Sequence, residues 1–330
     1  MVKINDWIMK LRRDRFRRSV RSRFPDVRWS QLIIDYNLNP SRFTFNKETK
    51  SLYSEDLGIH IQGYRHAFIL EGYEYALSLC SYSNVKLRIE GQRVMLDFGE
   101  LSFEVWTSEQ LYILTEVILG GVYNVSFPKP VIMFDIGMNV GYSSALFAER
   151  SEIVKVFAFE PVRPTYLKGL ENLNANEASS RKVKAFNFGL SNGDHDIEVE
   201  YCERYSGNVG INNLGHIRNK EGSEITSEPI KLRDAGKVVR EILDSETNTD
   251  VAMKIDCEGS EFDVVESLDK EGTVFGRICF LMIEWHRRER LEKMVRILET
   301  NGFVVLNLNP FSGSTGMIYA ARGHAYNAQN

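Results

Sequence analysis

Only four cysteines occur in 330 residues, Cys80, Cys202, Cys257 and Cys279, and no two of them form a C-x-x-C pair. That scatter indicates neither a disulfide framework nor a cysteine zinc site, and it makes a reduced, cytoplasmic setting the expectation. No run of about 18 apolar residues occurs, so no membrane span is predicted. The first residues are charged and lack the apolar core of a secretory signal. Internal repeats and low-complexity segments are absent as well. Aromatic and basic residues do not interleave as on a nucleic-acid platform, so no nucleic-acid partner is predicted.

What is present is the composition of an ordinary soluble protein, 43% hydrophobic and 26% charged, long enough for one large domain plus an extension. The net charge of -4 hides an asymmetry. Residues 1–30 carry ten Lys or Arg against three Asp, a net +7, which leaves -11 on the rest. Ile4, Trp7, Ile8 and Leu11 follow helical spacing, and Phe16, Val20 and Phe24 continue it, so a basic amphipathic helix is expected. Its options are peripheral contact with an anionic membrane such as the inner surface, binding of nucleic acid, or packing on its own protein or on a second copy.

The most specific signal is the run Phe134, Asp135, Ile136, Gly137, Met138, Asn139, Val140, Gly141, Tyr142, with Glu160 closing a second apolar run. Val131 to Phe134 read as a buried strand, the glycines as a tight turn, Tyr142 to Arg150 as a helix, and Val154 to Phe159 as the next strand. Glu160 then stands at a strand end, where a carboxylate accepts hydrogen bonds from both ribose hydroxyls. A dinucleotide site wants G-x-G-x-x-G to seat its pyrophosphate. Here the spacing is Gly137-x-x-x-Gly141, without a third glycine at helix-packing distance, so that reading is weak. Asp135, just before the loop, suits a ligand with a cationic amino-acid end. S-adenosylmethionine has that ammonium group together with a ribose, and it is the expected cofactor.

Before this unit, short alternating runs predict small antiparallel strands, among them Arg42 to Phe45, Ile59 to Ile61, Val85 to Ile89 and Val94 to Phe98, with a hairpin turn at Glu90-Gly91-Gln92. Ser108 is a candidate cap for a helix running to Gly120. From residue 131 onward strands and helices alternate, which predicts a parallel, doubly wound sheet. A helix is expected near Pro164 to Asn174, a strand at Val183 to Phe188, a turn at Gly189 to Asp194 and a returning strand at Ile197 to Tyr201. A polar, glycine-rich stretch from Glu203 to Glu228 reads as a binding loop or as plain connection. Val251 to Ile255 and Ile278 to Ile283 are further strands, ending in Asp256 to Gly259 and in Glu284 to His286. Phe303 to Leu308 and Met317 to Ala321 form a closing pair.

Five motifs in order carry a family resemblance: Asp135-Ile136-Gly137-Met138-Asn139-Val140-Gly141; Phe159-Glu160-Pro161; Gly189-Leu190-Ser191-Asn192; Lys254-Ile255-Asp256-Cys257-Glu258-Gly259-Ser260-Glu261; and Glu284-Trp285-His286. With them the chain resembles the FkbM family of S-adenosylmethionine-dependent methyltransferases over about residues 105 to 322. The resemblance implies an α/β fold with a Rossmann-like class I methyltransferase sheet, mostly parallel and closed by a C-terminal antiparallel hairpin. An N-terminal β-rich extension precedes it. The expected organisation is a leading helix in 1–30, a small β-rich region in 31–105, the methyltransferase domain in 106–322 and a tail in 323–330. Family members look like O-methyltransferases acting on sugars, polyketides and other natural products, so a small-molecule or glycan acceptor is the implied partner. The sequence leaves oligomeric state open. Two other readings stand beside it, a non-catalytic binding protein on a Rossmann-like scaffold and an NAD(P)-dependent oxidoreductase.

Methyl transfer from a sulfonium is an in-line displacement, and an alcohol needs its proton withdrawn first. Catalytic candidates therefore lie at strand ends: Asp256 and Glu258 after one strand, Glu284 and His286 after the next. They are expected to act as a carboxylate/His base. A divalent ion on them is an option, but no metal ligand is predicted. Gly137, Asn139 and Gly141 are expected at the methionine end, Glu160 at the ribose, and Leu190 and Ser191 towards the adenine. Each has a duller rival. Asp256 can cap the helix starting near Gly259, Glu258 and Glu261 can serve the helix dipole, and His286, followed by Arg287 and Arg288, can be an exposed loop residue. Lys254, inside an apolar strand, needs a carboxylate partner.

Overall fold

Continuous apolar runs become central strands, and alternating ones become the edges and small sheets. A computed structural model describes residues 2–82, 84–208, 224–246, 248–308 and 315–322, without the side chains of 2–8, 11, 178, 179, 208, 307 and 308. Most of the polar stretch after Glu203, with Gly210, Asn212, Asn213, Gly215 and Gly222, lies outside the described residues. So do the tail from 323 and the apolar side chains of Ile4, Trp7, Ile8 and Leu11. Among the described residues no helix is long and apolar enough to cross a membrane.

The chain divides into two units, Met1–Gly120 and Gly121–Asn330. In the first, α1 (Val2–Arg23) is followed by α2 (Val27–Asp35), so the expected single leading helix is interrupted. Asp26 explains the break: its carboxylate accepts the backbone N–H groups of Arg28 and Trp29 and starts a new helix. Val20 and Phe24, the end of the predicted stripe, are fully buried. β1 (Phe43–Asn46), β2 (Ser51–Ser54) and β3 (Ile59–Ile61) form one antiparallel sheet. After α3 (Phe68–Glu71) and α4 (Tyr73–Cys80), a second is built from β4 (Val85–Glu90), β5 (Arg93–Phe98) and β6 (Leu101–Val105). Glu90 pairs with Arg93 across the expected hairpin turn. The β-rich extension is thus antiparallel sheet interleaved with helices. The cap of α5 (Ser108–Leu114) is Thr107, whose hydroxyl accepts the Gln110 N–H, and not Ser108. This helix belongs to the first unit, whereas the sequence reading began the methyltransferase domain at residue 106.

The second unit opens with β7 (Val131–Ile136), buried along its whole length as expected of a strand covered on both faces. Then follow α6 (Tyr142–Glu149), β8 (Ile153–Phe159), α7 (Arg163–Ala175), α8 (Glu177–Ser180) and β9 (Val183–Phe186). Next come β10 (Gly189–Ser191), β11 (His195–Tyr201), β12 (Thr226–Asp234) and α9 (Ala235–Asp244). The chain continues through β13 (Asp250–Ile255), α10 (Glu261–Lys270), β14 (Ile278–Trp285), α11 (Arg288–Thr300), β15 (Phe303–Leu308) and β16 (Gly316–Arg322).

The main sheet runs in the order β9-β8-β7-β13-β14-β16-β15 among the described residues. β9, β8, β7, β13 and β14 are mutually parallel, and β16 is antiparallel to both β14 and β15. This is the mostly parallel, Rossmann-like sheet that the sequence led one to expect, with its antiparallel terminal hairpin. From β7 the chain builds outward through β8 and β9, then returns to add β13 on the other flank, so the order reverses between β7 and β13. Ligands of open α/β sheets bind at such a reversal, outside the carboxyl ends of the strands. Phe134, Phe157, Phe159, Met253, Ile255 and Ile283 sit in the core beneath it, each burial stabilising by about 1.5–3 kcal/mol. The expected turn at Gly189 to Asp194 is corrected in part. Gly189–Ser191 is a short strand parallel to β12, and β11 lies on the other side of β12 in a separate small sheet.

Candidate functional site

At the carboxyl ends of β7, β8 and β13 a cleft encloses about 730 Å³ of non-atom space, part of it open to solvent. Gly137, Asn139, Glu160, Leu190, Asp256 and Glu258 all line it. The structure therefore brings together six of the eleven residues singled out in the sequence, from four separate motifs.

The floor is made by the first glycine. Gly137 has φ +87°, and a Cβ there would lie 1.7 Å from the Asp256 carbonyl oxygen. Only glycine lets the loops after β7 and β13 touch. The N–H groups of Gly137 and Met138 both donate to the Phe159 carbonyl, at 3.1 and 2.8 Å, and the Asp256 N–H donates to Ile136, at 2.9 Å. Three strand ends are thereby laced together. Asn139 follows in the left-handed region, at φ +52°. Its side-chain Oδ1 is buried without a hydrogen-bond partner among the described residues, although Asn139 lines the cleft. An orphaned acceptor of this kind is costly unless a ligand satisfies it.

Glu160 closes the cleft beside this loop. It is 7% exposed, and its carboxylate accepts the N–H of Asn139 (3.0 Å) and of Val162 (2.9 Å). Burial pushes its carboxyl up to about 7, against the opposing pull of those two N–H groups and of the Lys254 charge. Leu190 supplies apolar wall near Ile230 and Leu232.

Two of the expected cofactor residues have other work. The Asp135 carboxylate is completely enclosed and does not line the cleft. It accepts the hydroxyls of Ser143 (2.7 Å) and Ser144 (2.5 Å) and pairs with Lys254 at 3.2 Å, so it supports the loop from below and does not meet a ligand ammonium. Gly141 starts α6 at φ +85°, and a Cβ there would meet the Gly169 carbonyl oxygen at 3.0 Å, so its absence of side chain serves helix packing. Ser191 is buried away from the cleft lining.

Lys254 has the partners that its burial demands. Its ammonium is 3.2 Å from Asp135, 3.5 Å from Asp256, and donates to the Gly137 carbonyl. Burial alone would lower its pKa, but the two carboxylates outweigh that and hold it charged above the ordinary lysine range. Asp256 also accepts the Tyr123 hydroxyl at 3.1 Å. Burial, then the Asp256 charge, keeps that phenol protonated. The helix-cap reading of Asp256 does not hold, since α10 begins at Glu261 after Ser260 with no side-chain cap. Burial and then the surrounding carboxylates push the Cys257 thiol pKa up, which disfavours a thiolate there.

His286 is not an exposed loop residue: its side chain is 10% exposed. Nδ1 lies 3.0 Å from Glu261 Oε1, and Nε2 lies 3.7 Å from Glu258 and 3.8 Å from Glu284. Burial lowers its pKa, but the Glu261 hydrogen bond and the charges of Glu258, Glu261 and Asp256 raise it further, to about 10. Glu261 and the surrounding carboxylates thus favour the protonated ring over the free base expected from the sequence. Glu261 is the clamp here, accepting the N–H groups of Cys257 (3.2 Å) and Gly259 (2.9 Å) as well. Glu258 stands in that loop at φ +53°, and Glu284 is 38% exposed and outside the cleft lining. Tyr123, Ser143, Ser144 and Val162 were missed in the sequence. Only the serines carried a signal, as small polar residues one turn past the glycine loop.

Residues 135–305 match the family described as the methyltransferase FkbM domain. Methyltransferase sdnD of Sordaria araneosa is 27% identical over 183 residues, covering 49% of this chain and 70% of that protein. Methyltransferase 1 of Beauveria bassiana is 24% identical over 185 residues, covering 53% and 74%. The crystal structure of methyltransferase FkbM from Methylobacillus flagellatus KT aligns at 16% identity and a TM-score of 0.41, over 59% of this chain and 44% of that one. The match thus spans less than half of the solved chain. With more than half of its length matched by that one domain, the chain belongs to the FkbM methyltransferase family.

Proposed function

We propose that the cleft binds S-adenosylmethionine and that the protein methylates a hydroxyl of a sugar, glycan or natural-product acceptor. The observation that carries this reading is the convergence on one cleft of the bare Gly137 to Asn139 loop, the Glu160 carboxylate and the strand-end pair Asp256 and Glu258. The bound donor supplies a methyl group on a sulfonium, open to in-line attack. Gly137 leaves the backbone bare for the methionine end, and Asn139 Oδ1, buried without a partner among the described residues, would accept from the ligand's ammonium after its side chain turns into the cleft. Glu160 accepts from the ribose hydroxyls with the lone pairs that Asn139 and Val162 leave unused. Leu190, Ile230 and Leu232 give apolar surface for the base. Asp256 and Glu258 line the same cleft, where either carboxylate can take the acceptor's proton as its oxygen attacks. The Tyr123 and Lys254 contacts hold Asp256 in place for this.

Calorimetric titration with S-adenosylmethionine tests the donor. Binding is expected in the wild type, with affinity retained in Asp256→Asn; absence of binding in the wild type overturns the proposal. For the acceptor, mass spectrometry of glycans and small metabolites from the native host, with and without the protein, is expected to reveal a species differing by one methyl substitution. An unchanged profile in an otherwise expressing strain would count against a small-molecule or glycan hydroxyl.

A further inference from the structure

The loop from Asp256 to Gly259 and the end of β14 bring Asp256, Glu258 and His286 together, with one ligand atom from each lying within 4.8 Å of the others. We infer that these three side chains form a binding site for a divalent cation of the Mn2+ or Mg2+ class at the acceptor side of the cleft. The inference rests on the proposed methyl transfer only for its role, and its geometry stands apart from the donor.

Distance is the first argument. Two atoms that share one ion at about 2.1 Å lie roughly 3.0 Å apart at right angles and 3.4 Å at the tetrahedral angle. His286 Nε2 and Glu258 Oε1 are 3.7 Å apart, so a few tenths of an ångström of movement brings both onto one ion. The second argument is the histidine itself. Its side chain is nine-tenths buried, and its Nε2 is aimed at Glu258 and Glu284 with both contacts longer than a hydrogen bond. Nδ1 is taken by Glu261. A metal-bound histidine is oriented in this way, its far nitrogen held by a carboxylate that fixes the tautomer and strengthens the ligand. The same Glu261 accepts the N–H groups of Cys257 and Gly259, which flank Glu258, so one buried carboxylate sets both the ring and the loop bearing the other two ligands.

Charge is the third argument. Asp256, Glu258, Glu261 and Glu284 gather around this point, with Lys254 beside Asp256 already shared with Asp135. A divalent cation among them takes the place of the His286 Nε2 proton, which it releases to solvent, and sets two positive charges against these carboxylates in place of one. One nitrogen and carboxylate oxygens, with room for water or substrate on the cleft side, suit Mn2+ or Mg2+ better than the thiolate sites that favour zinc. Held there, the ion would polarise an acceptor hydroxyl and ease loss of its proton to a neighbouring carboxylate.

Titrating Mn2+ into the full chain, followed by the loss of the free-ion EPR signal, tests the site. One bound Mn2+ per chain is expected, displaceable by Mg2+ and weakened at least tenfold in both Glu258→Gln and His286→Ala. Circular dichroism melts establish that each variant is folded. No Mn2+ binding up to millimolar concentration in the wild type, or undiminished binding in the two folded variants, overturns the inference. S-adenosylmethionine titrations on the same preparation separate the two readings. Donor binding without Mn2+ binding removes the metal site alone, and Mn2+ binding without donor binding removes the donor assignment alone.

Discussion

Glu160 makes the proposed donor site testable through pH. Its carboxyl titrates at about 7 because it is buried between the glycine loop and the turn after β8. Only the ionised form accepts from both ribose hydroxyls while holding the Asn139 and Val162 N–H groups. If that form binds the donor, affinity carries the factor 1 + 10^(pKa − pH), which is about 11 at pH 6, about 2 at pH 7 and about 1.1 at pH 8. Wild-type S-adenosylmethionine binding should therefore strengthen roughly tenfold between pH 6 and pH 8. Glu160→Gln keeps the shape but loses the charge. It should bind about ten- to 150-fold more weakly at pH 8, matching about 1.5–3 kcal/mol for hydrogen bonds to a charged group. The amine of the ligand titrates in the same range, and the variant reports that part alone, so the wild-type profile is read relative to it. Folding gives a second readout with its own sign. The folded carboxyl titrates above its ordinary 4.5, so its contribution to stability is full below pH 4.5 and is lost as pH rises through about 7. That interval corresponds to roughly 3 kcal/mol at most, and the neutral amide escapes the loss, apart from a pH-independent cost where its NH2 faces a backbone N–H. Thermal melts of Glu160→Gln relative to wild type should therefore improve from pH 5 to pH 8. A wild-type binding profile parallel to that of the variant, with affinities within twofold at pH 8, would refute the ribose assignment.

Three further substitutions test the frame around the cleft. Gly137→Ala places a Cβ against the Asp256 carbonyl at a left-handed backbone position; the loops after β7 and β13 must part, and donor binding in calorimetry should be lost even where the chain still folds. Lys254→Met leaves the enclosed Asp135 without its cation and should cost about 3–5 kcal/mol, read as a lower urea midpoint with unchanged slope; a midpoint near that of wild type would show that Asp135 needs no cation. Tyr123→Phe removes one donor to Asp256. A loss of about 1–2 kcal/mol in stability is expected, together with an altered pH profile of methyl transfer and unaltered donor affinity; an unmoved pH profile would remove Tyr123 from the positioning of Asp256.

What could be read in the sequence follows from how local the cause is. β7, β8, β13 and β14 are covered on both faces, so their apolar runs announce them, and the residues after each run, Glu160, Asp256 and Glu258, are then placed at strand ends by counting. The terminal hairpin was legible from apolar runs as well, although β15 is an edge strand with Val304 and Leu306 exposed. β12 was not, because Ile230 and Leu232 are its only buried positions and Pro229 interrupts the run. α9 has its buried residues Ala235, Val239 and Leu243 at a spacing of four. That spacing is the signal of a short amphipathic helix in a segment to which the sequence reading assigns no element. The roles of charged residues are less local still. Asp135 stands opposite Lys254 only because β7 and β13 are neighbours in register, and that adjacency depends on the chain's return after β9. Without it, a carboxylate before a glycine loop reads as a ligand contact when it is a counter-ion in the core. His286 gives the same lesson with opposite sign. The arginines that follow it suggest an exposed loop, yet Glu261, one helix away, turns the ring inward and fixes its proton. Position at a strand end is a property of the sequence around a residue, whereas protonation state belongs to the neighbours that topology delivers. The part of the cleft lining that comes from one β-α-β unit, Gly137, Asn139 and Glu160, could therefore be named from the sequence. The part where β13, β14 and α10 meet acquires its chemistry only on folding.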